Sequence, residues 1–460
     1  MIRTFIYRKE ENTMKKMKKL ACILLVGAMT ASLLGGCTGN TTSSTAGGTE
    51  STGTESAAAE SKTESAAEET KEKEPSNLLL WMPPYATDGE ALDQQWWTET
   101  LAPWAEENNV TLSIEITPWG NYAEKYLTAF SSGQGPDVGY MYNEMFNDFI
   151  DMGTLEELSP YFTEEDTADY IYYDLGYIKG GQYALPFIVG NARVLFFNMD
   201  ILEQAGVTEL PETWEDLTEV CVKVKDANIE GVIPFAQEWA DTAIGALNSI
   251  YYPYLWQAGG DIFDENGKVA LMQNDGAVKA AQYVYDMRYT YGVLPDESMA
   301  MTGNDVRDQF AAGKVAVAMG ATNQAALYTE NGLNWDYVAS LKGEQQATWI
   351  ASDALIMNAA GNNKEMAAEL MKHITSPAIM EKFHSELSAF PPINKSEKYL
   401  DNERFASIYE NEETLHTLPV APNSYKVMDS LYKNLQLMML GDLTPEQAIQ
   451  QTVDYAGNVS

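Results

Sequence analysis

Basic residues are scarce in this chain, which has 29 Lys and Arg against 67 Asp and Glu and a formal net charge of −38 over 460 residues. A protein that binds DNA or RNA needs a basic surface to neutralise phosphates, so we expect no nucleic-acid partner. A strongly acidic surface repels anionic solutes at long range. The composition therefore favours a neutral or cationic ligand.

Cysteine is almost absent as well. Cys22 and Cys37 belong to an N-terminal segment treated below, which leaves Cys221 alone in the rest of the chain. One cysteine cannot form an intramolecular disulfide, and its place in an apolar helical pattern predicts a small buried side chain. The three histidines are scattered, and no HExxH motif, nucleophile elbow or metal-ligand spacing occurs. We expect no metal and no cofactor.

The N-terminal apolar run is too short to span a membrane. Leu20–Leu34 has 15 residues, follows a basic stretch at 15–19 and ends in Leu-Gly-Gly-Cys at 34–37. This pattern predicts a signal peptide over 1–36, with Met14 as an alternative start, and resembles the lipobox in which Cys37 becomes the lipidated first residue. An ordinary secretion signal followed by a chance cysteine is the alternative.

The next segment, 37–76, consists mainly of Ser, Thr, Ala, Gly and Glu. Such a segment cannot bury enough apolar surface to offset its ordering entropy, so we expect a disordered tether. We therefore predict a protein held at the extracellular face of the cell membrane by the lipid on Cys37 alone. By analogy, this anchorage indicates a Gram-positive host.

The remaining pattern predicts an α/β fold. Apolar strands at Leu78–Trp81, Val110–Ile116 and Pro136–Tyr142 alternate with helical patterns, which is typical of a doubly wound sheet with parallel strands. A chain of 460 residues exceeds what one core usually supports, so two lobes are expected. A further helix is predicted over 242–256.

The stretch Tyr183–Asp226 carries the strongest structural signal. Its apolar run is broken once, by Gly-Asn-Ala-Arg at 190–193, which is unusual in a strand buried on both faces. We interpret the break as the point where the chain crosses between two lobes, beside a ligand. Beyond it, Asp200 is predicted to cap a short helix, and Thr213 with Asp216 forms a capping-box pattern before another.

Motifs in this stretch resemble the signature of family 1 extracellular solute-binding proteins, the sugar-binding subunits of ABC importers: YALP at 183–186, LFFN-D-L--AG at 195–206 and P-TW-DL at 211–217. The resemblance runs from about Asn77 to the C-terminus. It implies a two-lobed periplasmic-binding-protein-like fold of class II type. The crossings would lie near Val189, Trp349 and Phe390.

The resemblance also implies where each lobe begins and ends and what the protein binds. Lobe 1 would comprise 77–189 and 350–391, and lobe 2 would comprise 190–349 and 392–460. The ligand would be a carbohydrate, captured between the lobes and delivered to the transmembrane subunits of an ABC permease. We expect a monomer that performs no chemistry.

Sugars present apolar faces edged by hydroxyls, so their sites combine aromatic rings with polar side chains. In open α/β sheets such sites lie beyond the carboxyl ends of strands. The candidate ligand-binding residues follow predicted strands, lie at the crossing or precede a helix: Tyr85, Asp88, Trp119, Tyr142, Asn143, Glu144, Asn191, Arg193, Gln237, Glu238, Trp239, Thr322, Asn323 and Tyr425. The resemblance to maltodextrin-type binders supports Glu144, Asn191, Gln237 and Trp239 most directly.

Several candidates have a structural alternative. Trp239 is expected to stack on the ligand rather than pack in the core, whereas both interpretations stay open for Trp119. Arg193 is either a ligand contact or a salt-bridged hinge residue. Glu238 is expected to be solvated, as most acids in so acidic a chain are. Helical spacing on apolar faces predicts core positions for four tryptophans: Trp96, Trp97, Trp104 and Trp214.

Three other kinds of binding site are excluded because the residues that they need are missing or in the wrong order. The Gly259–Lys268 turn lacks the carboxylates of a calcium loop, Gly313-Lys314 lacks the rest of a phosphate loop, and the Gly-rich turn at 132–138 precedes its strand, unlike a dinucleotide fingerprint. The predicted function is therefore carbohydrate capture for import. The alternatives are a secreted glycoside hydrolase with a carboxylate pair, or the same fold binding a peptide, polyamine or other solute.

Overall fold

The computed structural model describes residues 75–86, 89–264, 266–418 and 421–459, apart from the side chain of Glu412. Asp88, Cys37, the predicted signal peptide and almost all of the predicted tether lie outside the described residues.

The described chain alternates strands and helices. The strands are β1 (Ser76–Met82), β2 (Val110–Ile116), β3 (Val138–Met141), β4 (Tyr177–Ile178), β5 (Gly181–Gln182), β6 (Leu185–Gly190), β7 (Arg193–Asn198), β8 (Ile233–Ala236), β9 (Val315–Ala321), β10 (Trp335–Val338), β11 (Thr348–Trp349), β12 (Ala351–Met357) and β13 (Leu415–His416). The helices are α1 (Glu90–Glu107), α2 (Tyr122–Ser131), α3 (Asn143–Asp151), α4 (Glu164–Thr167), α5 (Met199–Gln204), α6 (Trp214–Ala227), α7 (Leu247–Ile250), α8 (Tyr252–Gln257), α9 (Gly276–Tyr289), α10 (Gly303–Ala311), α11 (Ala325–Glu330), α12 (Lys364–Ile374), α13 (Pro377–Glu386), α14 (Ala406–Tyr409), α15 (Ser424–Leu440) and α16 (Pro445–Val459).

Two sheets form the cores of two lobes. The first has strand order β2-β1-β3-β12-β6, and the second has order β10-β7-β9-β8. β1 runs parallel to β2 and β3, but β12 runs antiparallel to both of its neighbours. In the second sheet β8 and β9 are parallel, whereas β7 is antiparallel to β9 and β10. The α/β, two-lobed prediction is confirmed, but the expectation of parallel strands is wrong where strands enter a sheet from a crossing.

Local capping chemistry explains where the helices after β7 begin. The predicted capping box at α6 is present, because the Thr213 hydroxyl accepts from the Asp216 N–H at 3.2 Å and the Asp216 carboxylate accepts from the Thr213 N–H at 3.0 Å. The cap of α5 is Asn198, not Asp200 as predicted, and its side chain accepts from the Ile201 N–H at 3.2 Å. The helix starts two residues earlier than predicted because β7 ends directly in a capping residue.

The predicted helix over 242–256 is broken. The structure has a 3₁₀ turn at Ile244–Ala246, then α7, then α8, with Tyr251 between the two helices at a φ of −142°. Pro253 lies in the first turn of α8, where its missing N–H costs nothing, so the chain restarts a helix there. The restart buries Tyr251, Tyr252 and Tyr254.

Aromatic residues fill much of the interior. Trp96, Trp97 and Trp104 are buried, as their spacing predicts. Trp214 is only half-buried, and its indole N–H donates to the side-chain oxygen of the buried Gln257 at 2.7 Å. Cys221 is a free and fully buried thiol, as predicted.

Candidate functional site

The chain passes between the two sheets at the predicted break. β6 pairs with β12 in the first sheet up to Gly190, and β7 pairs with β9 in the second sheet from Arg193. Between them Gly190 has a φ of 100° and Asn191 a φ of 48°, which lets the chain turn sharply from one sheet to the other. The tolerance of Gly and Asn for positive φ thus explains the polar interruption of an apolar run.

Two later segments also pass between the lobes. β11 leads into β12 at 348–351, and the Thr348 hydroxyl donates to the Arg193 carbonyl. Further on, the Lys398 N–H donates to Glu381 on α13 at 2.8 Å, whereas Arg404 already pairs with Asp336 on β10. The chain therefore crosses for a third time between Lys398 and Arg404.

The two lobes meet along a boundary that we call the seam. It is marked by three contacts. The Gly120 backbone, after β2, lies against Thr242, after β8, since a Cβ at Gly120 would be 2.6 Å from the Thr242 hydroxyl. The Ser424 hydroxyl on α15 donates to the Glu144 carbonyl at 2.7 Å, and the Asn323 amide donates to Ser388 at 3.0 Å. These contacts join the first lobe to the second.

A group of packed aromatic rings belongs to the first lobe and includes Trp119, next to the seam contact at Gly120. Tyr85 follows β1 and packs edge-on against Trp119, Tyr140 and Phe383, with ring centroids at 6.0, 6.0 and 5.3 Å. Trp119 is 38% exposed, donates its indole N–H to the Pro84 carbonyl at 3.1 Å, and directly precedes the Gly120 contact. Of the two interpretations left open for Trp119, its exposure at the seam favours a platform for a ligand ring.

A buried charged cluster lies at the crossing. Arg193 donates to the Ser249 hydroxyl at 3.2 Å and lies over the Trp349 ring, with its guanidinium carbon 4.7 Å from the centroid. Burial lowers the Arg193 pKa, and the charges of Glu238 and Asp353 partly restore it. Among the described residues no acid forms a salt bridge with Arg193, although the charges of Glu238 and Asp353 act on it, so both its contact with a ligand and its role at the hinge stay predictions.

The two acids beside Arg193 come from different lobes. Burial raises the pKa of Glu238 to about 7, against the opposing effects of a Ser249 hydrogen bond and the Arg193 charge. Burial also raises the pKa of Asp353 to about 7, although the Tyr140 hydroxyl donates to it at 2.5 Å. Glu238 is 7% exposed, so the expectation that it is solvated is wrong, because β8 ends inside the protein rather than at its surface.

A third acid, Glu144, lies in the first turn of α3 and is 5% exposed. Burial and the charge of Asp353 raise its pKa to about 8. Tyr142 just before it and Tyr425 at the start of α15 both feel its charge, so the structure brings these three candidates together. The neighbouring Asn143 donates its side-chain amide to the Leu418 carbonyl, and thereby ties α3 to the segment before α15.

Gln237 and Trp239, on either side of Glu238, are also buried. The Trp239 indole N–H donates to the Gln237 side-chain oxygen at 3.1 Å, which leaves the Gln237 side-chain nitrogen without a partner among the described residues. Trp239 is 4% exposed and borders a groove of about 380 Å³ formed with Met299 and with side chains of α15. Its contact with ligand stays a prediction.

Asn191, Thr322 and Asn323 form a hydrogen-bonded group at the crossing. The Asn191 side-chain oxygen accepts from the Thr322 hydroxyl at 3.4 Å and from the Asn323 N–H at 3.3 Å. Next to Asn191, the Ala192 N–H donates a hydrogen bond to the Tyr409 hydroxyl at 3.3 Å. The structure therefore gives these three candidates partners within the protein.

Sequence reasoning missed several polar residues of the site: Tyr140, Ser249, Tyr252 and Asp353. Asp353 lies within β12, which is otherwise mostly apolar, and a lone carboxylate in such a strand is a usable signal. The candidates listed above follow strands or lie at the crossing, so a position within a strand is not among them. Tyr252 gave no signal, since its sequence neighbours are equally aromatic.

Some features are not found among the described residues. No helix there is long and apolar enough to cross a bilayer. No group of three or more His, Cys, Asp or Glu in that part of the chain is arranged to hold a metal ion. What the arrangement offers chemically is hydrogen bonding from both lobes beside an aromatic surface, which is suited to binding.

Comparison with known proteins is consistent with this geometry. The sequence profile of a family described as bacterial extracellular solute-binding proteins matches residues 84–381. A binding protein of Brucella abortus (strain 2308) is 26% identical over 357 residues, covering 75% of this chain and 85% of that protein. The arabinooligosaccharide-binding protein of Bacillus subtilis (strain 168) is 27% identical over 213 residues, covering 44% of this chain and 47% of its own length.

Among solved structures, a solute-binding protein of an ABC transporter from Thermotoga lettingae TMO, bound to α-D-tagatose, has a similar fold. Its TM-score is 0.73 at 21% sequence identity, and the match covers 84% of this chain and 99% of that chain. The similarity to this structure shows a common fold.

Proposed function

Because this chain belongs to the family of bacterial extracellular solute-binding proteins, which bind solutes and are not enzymes, we propose that it captures a carbohydrate between its two lobes and delivers it to an ABC permease. The family sets aside the alternative of a glycoside hydrolase. Whether the solute is a carbohydrate or a non-sugar compound is decided by the ligand panel described below.

The observation that carries the proposal is that polar residues of both lobes are buried near the crossing and that some of their polar atoms have no partner. Glu144 of the first lobe and Glu238 and Tyr252 of the second are each at least nine-tenths buried, and the Tyr252 hydroxyl and the Gln237 side-chain nitrogen have no hydrogen-bond partner among the described residues. Buried polar groups normally have partners, so a ligand rich in hydroxyl groups would supply what the protein lacks. Trp119 adds an exposed ring at the same seam, suited to the apolar face of a sugar.

Two similar proteins support a carbohydrate as the ligand. The Bacillus subtilis relative is named for arabinooligosaccharides, and the Thermotoga lettingae structure holds α-D-tagatose. A ligand that touches both lobes only when they are closed would favour closure in proportion to its differential affinity. The lobe limits predicted above, 77–189 with 350–391 and 190–349 with 392–460, are part of this proposal, except that the last boundary moves from 391 to the third crossing, between Lys398 and Arg404. The individual contact residues are part of it as well.

Calorimetry with a carbohydrate panel tests the proposal. We expect at least one sugar to bind, and Trp119→Ala to weaken its affinity by about tenfold or more. The control is Tyr177→Ala, which removes a ring that is 62% exposed on β4 and should leave affinity unchanged. A panel in which only amino acids, peptides or polyamines bind would contradict a carbohydrate ligand.

The lipid anchor on Cys37 is a separate part of the proposal, supported by the apolar run and the small residues that precede the cysteine. Cys37→Ser should move the protein from the membrane fraction to the medium. Retention of the variant on the membrane would contradict anchorage at this residue.

A further inference from the structure

A groove of about 380 Å³ lies on the second lobe beside Trp239, and most of the side chains that line it are apolar. Trp239 follows β8, Met299 precedes α10, and Leu437, Met439 and Leu440 belong to α15. An apolar cavity of about 150 Å³ is enough to hold a benzene ring. The groove therefore has room for an aromatic ring or a short alkyl chain.

The outer surface of α15 changes from charged to apolar where it borders the groove. The exposed residues of this helix are Lys426 and Lys433 in its earlier turns, but Leu437 and Leu440 in its last turn. Leu440 is 62% exposed and Leu437 is 38% exposed. Single exposed apolar residues are common on protein surfaces, whereas neighbouring ones that line a groove are typical of a binding surface.

The polar residues that line the groove already have partners. The Lys433 ammonium group pairs with Asp429 at 2.6 Å, and the Gln436 side-chain nitrogen donates to the Trp239 carbonyl at 2.9 Å. A bound group therefore needs no charge to balance these residues. The leucine and methionine side chains around them favour an apolar occupant.

The groove and the seam share the loop that follows β8. Trp239 lines the groove, and the Thr242 hydroxyl meets Gly120 at the seam. Three residues span at most about 11 Å of chain, so the two places lie close together. The Tyr432 hydroxyl on α15 donates to the Asp241 carbonyl at 3.0 Å, which ties this loop to the helix. A carbohydrate in the seam can therefore carry a substituent that reaches the groove.

We propose that the groove binds an apolar group attached to the carbohydrate, so that the ligand is a glycoside with an aryl or alkyl aglycone. This inference rests on the proposed carbohydrate function and specifies its ligand class. The sugar lies in the seam, and the aglycone packs against Trp239 and the two exposed leucines of α15.

The test compares glycosides that differ only in the aglycone. The phenyl and methyl β-glycosides of glucose, galactose and cellobiose are titrated into the full chain, and phenol is titrated alone. We expect the phenyl member of at least one pair to bind about tenfold more tightly than its methyl member, because the ring leaves water when it enters the groove. Phenol alone should bind more weakly than that glycoside, since it lacks the sugar.

A double variant assigns the preference to the groove. Leu437→Gln/Leu440→Gln makes the exposed wall polar, so the ratio of phenyl to methyl affinity should fall about fivefold to tenfold while the affinity for the methyl glycoside stays the same. The matched control is Leu127→Gln, which changes a leucine that is 48% exposed on α2 and should leave the ratio unchanged. A preference that persists in the double variant would mean that the ring binds elsewhere, and would overturn the groove as its site.

The outcomes separate this inference from the function on which it rests. Equal affinities of the phenyl and methyl glycosides for the wild type would overturn the aglycone site and leave carbohydrate capture standing. Binding of phenol, with no sugar or glycoside bound more tightly, would overturn carbohydrate capture and with it the aglycone.

Light scattering on the wild type and the double variant tests a different occupant, a second copy of the chain. We expect both proteins to have the mass of a monomer. A wild-type dimer that separates in the double variant would mean that protein covers the groove, and would overturn the aglycone site.

Discussion

Two groups of polar residues lie near the boundary between the lobes, and they differ in whether the protein itself satisfies their hydrogen-bonding groups. At the crossing, Asn191, Thr322 and Asn323 bond to one another and to the chain around them. At the seam, Tyr252 and Gln237 leave buried polar atoms without partners among the described residues. The contrast indicates that the first group fixes the hinge, whereas the second is available to a ligand.

Arg193 donates to the Asn191 carbonyl at 3.3 Å and its charge acts on the buried acids Glu238 and Asp353, so its removal should have the largest effect. Burial raises the pKa values of Glu238 and Asp353 to about 7, and Arg193 limits the rise. A raised pKa means that the contribution of such a carboxyl to stability is present at low pH and lost as pH rises through that value. Without Arg193 both values rise further. We expect Arg193→Ala to lower the free energy of unfolding by about 1–3 kcal/mol at pH 8 and by much less at pH 5.

Urea unfolding at the two pH values measures this difference. Arg193→Lys is the matched control, since it keeps a positive charge and should show a weaker pH dependence. An equal loss of stability at both pH values would mean that the guanidinium acts through packing and not through the two acids.

The second prediction compares one residue from each group. Asn191→Ala removes two hydrogen bonds and places alanine at a φ of 48°, so we expect a loss of about 1–2 kcal/mol in the free energy of unfolding. Tyr252→Phe removes a hydroxyl without a partner in the protein, so stability should change by less than about 0.5 kcal/mol. Ligand affinity should fall about fivefold to tenfold in Tyr252→Phe alone.

Thermal and chemical unfolding, together with calorimetry on both variants, check this contrast. Asn191→Gly separates its two causes, because glycine tolerates the positive φ but lacks the side-chain bonds. If Tyr252→Phe destabilised the protein as much as Asn191→Ala, the distinction between the two groups would be lost.

The smallest expected effect concerns closure of the seam. A Cβ at Gly120 would lie 2.6 Å from the Thr242 hydroxyl oxygen and 3.8 Å from the Thr242 Cβ. Since these residues belong to different lobes, Gly120→Ala should oppose closure and weaken ligand binding by about threefold to tenfold, with little effect on unfolding. The double variant Gly120→Ala/Thr242→Ala should recover the affinity, because the colliding oxygen is gone. Weak binding that persists in the double variant would argue against this contact.

Much of the architecture could be predicted because it follows from local physics. The broken apolar run at 190–193 indicated the first crossing, and Thr213 with Asp216 indicated the start of α6. The apolar spacing of Trp96, Trp97 and Trp104 identified core residues. Each of these depends on neighbours a few positions apart, which the sequence displays directly.

The errors share a cause. Glu238 was expected to be solvated, and Asp353 was not considered, because the surroundings of each depend on a distant part of the chain. Glu238 meets Arg193 from the crossing, and Asp353 meets Tyr140 from the neighbouring strand. Burial of an acid is decided by what packs around it, and the sequence alone does not contain that information.

Two α/β lobes joined by a sharply turning segment can be predicted from local sequence patterns, since strand alternation, capping residues and tolerance of positive φ act over a few residues. Most of the candidate side chains can be predicted in the same way, because they follow strands. Which of them the protein satisfies, and which are left for a ligand, depends on how distant parts of the chain pack together. Hydrogen bonds at the seam join residues that are between 65 and 280 positions apart, and folding alone brings them within reach.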